Sequence, residues 1–509
     1  MMKKFAGIAL ALTTLLAMAC TTTAPVAFKA PEPLAKEVAI TLMHTNDVHA
    51  RIVESKTELG YAKMAAAFQE AKAKNPNTIL IDVGDTFHGL PIANIDQGAS
   101  IVKLMNEVGY SFMTTGNHDY NYGTTRLLQL EKEAKFKILA ANVYKGGKRV
   151  FTPYVIQNVG GVRVAFFGLA SPETAYKSDP KGLEGVTFSD PVVEGRKVAN
   201  EIAGQYDVLV LLSHVGTDAS SDPTSIKVAQ AIPEIDVILD GHSHTTLETL
   251  QKINQTPVLI ASTGSHGAGL GVVDLVVGTN RSVISKAART ITVANSPNLK
   301  GDEKIGTMIK DLVKAQDAVL SQVVAKSTVA LEGKREIVRT QQTNLGTLIA
   351  NGMRFVSGAD VALMNGGGIR DSMPAGDITK KLIYTVLPFG NYIQVAKIKG
   401  AEFKAILENG VGKLPAPDGR MPHLANLTYK LDVSKPAGQR VSDIMVGGVP
   451  VDPNKDYTFA TLNFLFNGGD DYRMLVGKTL SDFPSDAEAF IKYAQHLGTI
   501  TADNLVLKK

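Results

Sequence analysis

Eight of the ten histidines of this 509-residue chain lie between residues 44 and 266. Five of them fall in Asp47-Val48-His49, Gly116-Asn117-His118-Asp119, Ser213-His214 and Gly241-His242-Ser243-His244, the first two with carboxylate or amide oxygens alongside; Gly84-Asp85 adds a further acid. Imidazole, carboxylate and amide donors without thiolate suit Zn²⁺, Mn²⁺, Fe or Co, and exclude a structural cysteine-zinc site. Asp47, His49, Asp85, Asn117, His214, His242 and His244 make seven donors, too many for one tetrahedral ion. With Asp85 shared, two divalent ions receive four donors each and stand about 3.5–4 Å apart, leaving room for a shared hydroxide. His44, His88 and His266 are expected to be structural or supporting residues.

Such donors, scattered over almost 200 residues, meet only if the chain brings them to one edge. Apolar runs at Val38 to His44, Thr78 to Val83, Ser111 to Thr114, Lys137 to Ala141, Val162 to Leu169, Val208 to Ser213 and Val237 to Asp240 read as buried strands. Amphipathic stretches such as Gly60 to Lys74 and Ser100 to Val108 read as helices between them. The pattern is that of a layered α/β domain, in which the carboxyl ends of strands share one edge. Each chemical segment follows a predicted strand, and Gly84, Gly116 and Gly241 permit sharp turns there. Asn295-Ser296-Pro297-Asn298 interrupts this pattern, and Gly301 to Val324 reads as one long helix bridging to a second, α+β region.

Composition narrows the class. Lys and Arg number 53 against 49 Asp and Glu, a formal charge of +4, so no basic stripe for a nucleic-acid polymer is implied. A single cysteine forbids an internal disulfide. Lys3 and Lys4 precede an apolar run from Phe5 to Ala19, too short to span a bilayer and suited to the core of a signal peptide. The run ends Leu16-Ala17-Met18-Ala19-Cys20, which resembles a bacterial lipobox with Ala17 in place of the usual leucine. Cys20 would then carry a lipid that anchors the exported protein to the membrane. Read instead as a plain A-x-A cleavage site, the same residues release a soluble exported protein. Thr21 to about Glu37, rich in Thr, Pro and Ala, reads as a tether.

The ordered set D-x-H, G-D, G-N-H-D, S-H, G-H-S-H resembles the calcineurin-like metallophosphoesterases, and more closely the bacterial 5'-nucleotidase and UDP-sugar hydrolase family. The resemblance covers nearly all of the expected mature chain. It implies that Asp47, His49, Asp85 and His244 hold one ion, that Asp85, Asn117, His214 and His242 hold the other, and that His118 is catalytic beside the scissile phosphate. In the second region Arg335, Arg339, Asn365 and Arg370 match segments that bind phosphate or ribose. Phe389 and Phe464 match the rings that sandwich the base, and Asn391 and Asp470 the groups that bond to the nucleoside.

The expected reaction is hydrolysis of nucleoside monophosphates by in-line attack of a hydroxide held between two divalent ions (Zn, Mn, Co or similar), with Asn117, His118 and the metals stabilising the equatorial phosphoryl oxygens and the two domains closing around the substrate. UDP-sugars stay open as further substrates. One departure is Asn121, where the nucleotidases usually carry an aspartate; wording with asparagine is found in relatives that cleave 2',3'-cyclic nucleotides, which keeps that substrate class open. A nucleoside-binding envelope lipoprotein without catalysis is the third reading. The expected architecture is a signal peptide over 1–19, a tether over 20–37, a layered αββα phosphoesterase domain over 38–294, a linker helix over 295–325 and an α+β nucleotide-binding domain over 326–509.

Overall fold

Two six-stranded sheets lie face to face in the first lobe of the computed structural model, which describes residues 32–505 apart from 179, 219, 220, 254, 255 and 479. The expected signal peptide, Cys20 and most of the tether lie outside the described residues. In one sheet the order is Val283–Thr292, Gly269–Val277, Val38–Thr45, Thr78–Asp82, Phe112–Thr114 and Lys137–Leu139. In the other it is Thr246–Ile253, Thr256–Thr263, Val237–Asp240, Val208–His214, Val162–Ala170 and Tyr154–Val159.

Side-chain alternation explains the layering. Along Val208–His214, Val208, Val210 and Leu212 enter the core between the sheets, together with Ile40, Leu42 and Ile81 of the facing sheet. Leu209 and Leu211 point the other way, against Val198, Ile202, Val228 and Ile232 of the covering helices. The first sheet turns Met43, Leu80 and Met113 outward onto the helices Gly60–Lys74 and Ala99–Val108. Strands buried on both faces must be apolar at nearly every position, as these are. Val38–Thr45, Thr78–Asp82 and Phe112–Thr114 pair in parallel, as do Val162–Ala170, Val208–His214 and Val237–Asp240, so their carboxyl ends gather at one edge.

The bridging helix is Glu303–Leu320, shorter than the expected Gly301 to Val324. The Asp302 side chain accepts a hydrogen bond from the Ile305 amide and fixes the start. At the other end Val323 and Val324 belong to the strand Val323–Ser327, antiparallel to Gly376–Thr379. Ile305 and Ile309 are buried, whereas Val313 is 44% exposed. No helix among the described residues is long and apolar enough to cross a membrane.

The second lobe is built on the sheet Pro422–Ala425, Val361–Asn365, Asp456–Leu462, Tyr392–Lys399 and Leu480–Ser485. The helices Asn344–Ser357 and Asp486–Leu497 cover one face, and Phe403–Val411 the other. A capping box opens Asp486–Leu497: the Ser485 hydroxyl accepts from the Glu488 amide, and the Glu488 carboxylate accepts from the Ser485 amide.

Candidate active site

All seven sequence-derived donors meet at the shared strand edge. His49 and His244 approach Nε2 to Nε2 at 3.3 Å, and His244 Nε2 stands 3.4 Å from Asp47 Oδ1. His214 Nε2 stands 3.2 Å from Asp85 Oδ2 and 3.9 Å from Asp47 Oδ1, and His49 Nε2 is 3.9 Å from Asp85 Oδ2. Asn117 Oδ1 lies 2.8 Å from His242 Nδ1, and the His242 amide donates to the Asp47 carboxylate at 3.1 Å. Two groups, Asp47 with His49 and His244, and Asp47 with Asp85 and His214, each place three donor atoms within 4.8 Å of one another.

The local backbone is costly. Asp47, His49, Asp85, His242 and His244 all have positive φ, between 48° and 74°. For non-glycine residues each such conformation costs about 1–2 kcal/mol, so surrounding bonds must hold it. Asp119 supplies several of them: its carboxylate accepts from the amides of Asp85, Thr86, Phe87 and Gly116 at 2.8–3.0 Å, tying two ligand loops together. Gly116 must lack a side chain, because a Cβ there would fall 2.2 Å from Asp85 Oδ1. The His118 amide then donates to that same Oδ1 at 2.7 Å.

Charge in the cluster is finely divided. Burial disfavours the imidazolium of His214, yet Asp85 and Asp47 overcome it and raise the pKa to about 10. Burial opposes His244 in the same way, and Asp47 raises it. His49 is pushed well below its ordinary value and His118 down to about 3, both chiefly by burial. The Asp47 and Asp85 carboxylates are held low by these imidazoles against the pull of burial. His214 is informative about a metal. Its Nδ1 meets the Val83 carbonyl at 2.6 Å, and its buried Nε2 has no hydrogen-bond partner while facing two carboxylates. The two carboxylates draw a positive charge to this position, and a divalent cation taking the place of the Nε2 proton, while the Val83 carbonyl keeps the other proton on Nδ1, would satisfy the same groups. The donor set therefore fits a divalent metal.

His118 stands beside this cluster, its ring 5.2 Å from that of His49. Asn121 Nδ2 lies 3.0 Å from His118 Nδ1 and 3.2 Å from His88 Nδ1, so the amide bridges two imidazoles. His44 is buried within the first sheet, paired with Gly271, as expected of a structural histidine. His88 and His266, by contrast, line the cleft.

That cleft has two adjoining parts, of about 490 and about 210 Å³. The smaller contains His49 and His244; the larger contains Arg339, Asn365, Arg370 and Asp470; Arg51, His266, Phe389, Asn391 and Phe464 line both. Phe389 and Phe464 are 44% and 42% exposed, and the Arg370 guanidinium lies 5.3 Å from the Phe389 ring centre. Asn365 Nδ2 donates to Asp470 Oδ2 at 2.7 Å. Arg339 Nε, Arg51 Nε and Asn365 Oδ1 are buried without hydrogen-bond partners, polar atoms that a bound ligand would satisfy. Burial and the neighbouring Arg335 and Arg370 lower the Arg339 pKa, a local excess of positive charge suited to an anion. Arg335 itself is exposed and does not line either part of the cleft.

Residues of both lobes meet here. Arg51 Nη2 donates to the Phe389 carbonyl at 3.3 Å, His88 Nε2 lies 3.7 Å from Glu488 Oε2, and the Tyr392 ring sits 4.2 Å from that of His118. Sequence reading missed Arg51, Tyr392 and Glu173, the last bonded to His242 at 2.7 Å. Two carried a readable signal: Arg51 follows His49 in the same loop, and Glu173 is another acid just beyond a strand end.

The calcineurin-like phosphoesterase family matches residues 40–246, and the 5'-nucleotidase C-terminal domain matches residues 323–477. Protein UshA of Escherichia coli (strain K12) is 29% identical over 518 residues, covering 93% of this chain and 92% of that protein. The trifunctional nucleotide phosphoesterase protein YfkN of Bacillus subtilis (strain 168) is 29% identical over 486 residues, 85% of this chain, and the chain spans 32% of its length. Among solved structures, a 5'-nucleotidase precursor from Thermus thermophilus is 32% identical, with 91% of this chain and 97% of that chain covered and a TM-score of 0.58.

Proposed function

Because this chain belongs to the 5'-nucleotidase family, joining a metallophosphoesterase domain to a 5'-nucleotidase C-terminal domain, we propose that it is an exported enzyme converting nucleoside monophosphates to nucleoside and phosphate. The observation that carries this reading is the single cleft running from His49 and His244 to Phe389 and Phe464. A metal centre at one end and aromatic rings at the other suit a substrate with a phosphate and a base.

Asp47, His49, Asp85 and His244 would hold one divalent ion, and Asp85, Asn117, His214 and His242 a second. Such a pair supplies an activated water and neutralises phosphoryl charge. The chain's own groups do the rest. Phe389 and Phe464 take the faces of the base, and Asn391 and Asp470 its polar edge or the ribose. Arg339 and Arg370, with Arg335 adding charge from the flank, take oxygens of the phosphate or ribose. His118 donates a hydrogen bond to the phosphoryl group as charge develops and the nucleoside leaves. The contacts of Arg51, His88 and Tyr392 across the lobes keep bulk water from the reacting phosphate, and the lobes must part to release product.

Export rests on Lys3, Lys4 and the apolar run to Ala19, and a membrane anchor on Cys20. A second reading is cleavage of 2',3'-cyclic nucleotides, favoured by the Asn121 amide beside His118.

The test is phosphate release from AMP, UDP-glucose, NAD and, with a phosphatase coupled, 2',3'-cyclic AMP, each with and without chelator, for the native chain and Asp85→Ala. AMP turnover that chelator stops, divalent metal restores and Asp85→Ala abolishes is expected. Native AMP turnover by Asp85→Ala sinks the metal-centred reading, and cyclic AMP outrunning AMP makes the second reading the correct one.

A further inference from the structure

Glu173 follows the strand Val162–Ala170 and is 6% exposed. It stands at the start of the short helix Thr174–Lys177, but its side chain does not cap that helix. Its Oε2 lies 2.7 Å from His242 Nε2, and on the other side of the ring His242 Nδ1 lies 2.8 Å from Asn117 Oδ1. An ionised carboxylate only accepts hydrogen bonds, so Glu173 places the imidazole proton on Nε2. The neutral ring then turns the lone pair of Nδ1 toward the lone pairs of the Asn117 oxygen. Two acceptors at that distance repel one another unless a cation draws on both. The hydrogen bond at one ring nitrogen decides which nitrogen is left for a metal.

The same segment also holds the other donor. The Ser178 hydroxyl donates to the Asn117 carbonyl oxygen. Residues 171–178 thus fix both the ring of His242 and the backbone of Asn117, which are 125 positions apart in sequence. In His49, His214 and His244 it is Nε2 that faces the other donors.

We propose that Glu173 is a positioning residue that commits His242 to bind metal through Nδ1, and that the segment 171–178 controls the affinity of the Asn117/His242 ion separately from the other. The proposal rests on the two-ion reading above. Its consequence is an asymmetric centre: one ion is held by groups on the first sheet's loops and His244, and the other depends on a clamp outside the donor set.

Metal-stripped full-length protein, Glu173→Ala and Glu173→Gln are titrated with Mn²⁺ by calorimetry. In Glu173→Ala the first ion keeps its native affinity and the second weakens about 10–100-fold; Glu173→Gln, which keeps an accepting oxygen without the charge, recovers most of the loss. In the metal-free native protein, long-range nitrogen–proton correlation places the His242 proton on Nε2, and Glu173→Ala removes that preference. Native binding of both ions by Glu173→Ala, equal weakening of both, or a proton on Nδ1 in the native protein overturns the proposal. A native chain that binds one ion sinks the two-ion reading instead, and the tautomer measurement still decides the role of Glu173.

Discussion

Replacing Phe464 by alanine separates recognition of the base from chemistry at the phosphate. The ring is 42% exposed and lines the part of the cleft that also holds Arg339, Arg370 and Asp470. It has one defined seat, against Gly469, where an added Cβ would fall 2.5 Å from the ring. Stacking on a base is worth about 1–3 kcal/mol, so the KM for AMP should rise about 5- to 150-fold, with kcat changed far less. A side chain that already meets solvent over much of its surface contributes only about 1 kcal/mol to stability through burial. The melting temperature should therefore fall by no more than about 2–4 °C. Phe389→Ala should behave similarly and also lose the Arg370 contact, worth about 0.5–1 kcal/mol at an exposed site. The assay is steady-state phosphate release from AMP beside ribose 5-phosphate, which has the phosphate and sugar but no base. KM for ribose 5-phosphate should stay put. If both substrates weaken equally, or AMP moves less than twofold, the rings do not bind the base and the reasoning fails.

Asp486 gives a pH prediction away from the candidate metal ligands. Burial first, and Glu488 second, raise its pKa to about 8. Between about pH 4 and 8 the folded chain keeps this proton while the unfolded chain has lost it, so this group's contribution to stability falls as pH rises through that window. Asp486→Asn should flatten the decline, and melting temperatures at pH 5 and pH 8 should differ less than in the native protein; an unchanged difference refutes the assignment. For the anchor, palmitate label should appear on the native protein in a bacterial host and vanish from Cys20→Ala, and label that persists in the variant removes the lipid from Cys20.

The convergence of the candidate metal donors is legible in the sequence because each lies at or just beyond the end of a buried apolar run that the sheet fixes. Once those strands are parallel, convergence at one edge follows, and His214 or His242 needs no further information to be placed. The helix Gly60–Lys74 was readable to the residue, since Asn75 breaks the amphipathic pattern and caps it. Val323 and Val324 were not: two β-branched residues after a long helix serve either element, and only the partner strand Gly376–Thr379 decides. The strand Val283–Thr292 carries no clear sequence signal either, because its mixed burial pattern at a sheet edge lacks the continuous apolar run of the central strands. Glu173 and Tyr392 took on meaning through neighbours 69 and 274 positions away, His242 and His118, proximity that local periodicity does not encode. The proposed substrate residues are legible only through family resemblance, since an exposed phenylalanine carries no chemical signal of its own.

The left-handed backbone at Asp47, His49, Asp85, His242 and His244 has a practical meaning for anyone wishing to move this chemistry elsewhere. Copying the side chains onto relaxed loops of another scaffold would not reproduce their aim, because those loops would spring back to ordinary dihedrals. What must be transplanted is the pair of rigid sheets and the Asp119 knot that keep the tension in place. Conversely, glycine at any of these positions would ease the backbone while deleting the donor, so thermal resistance and hydrolytic power should trade against each other there.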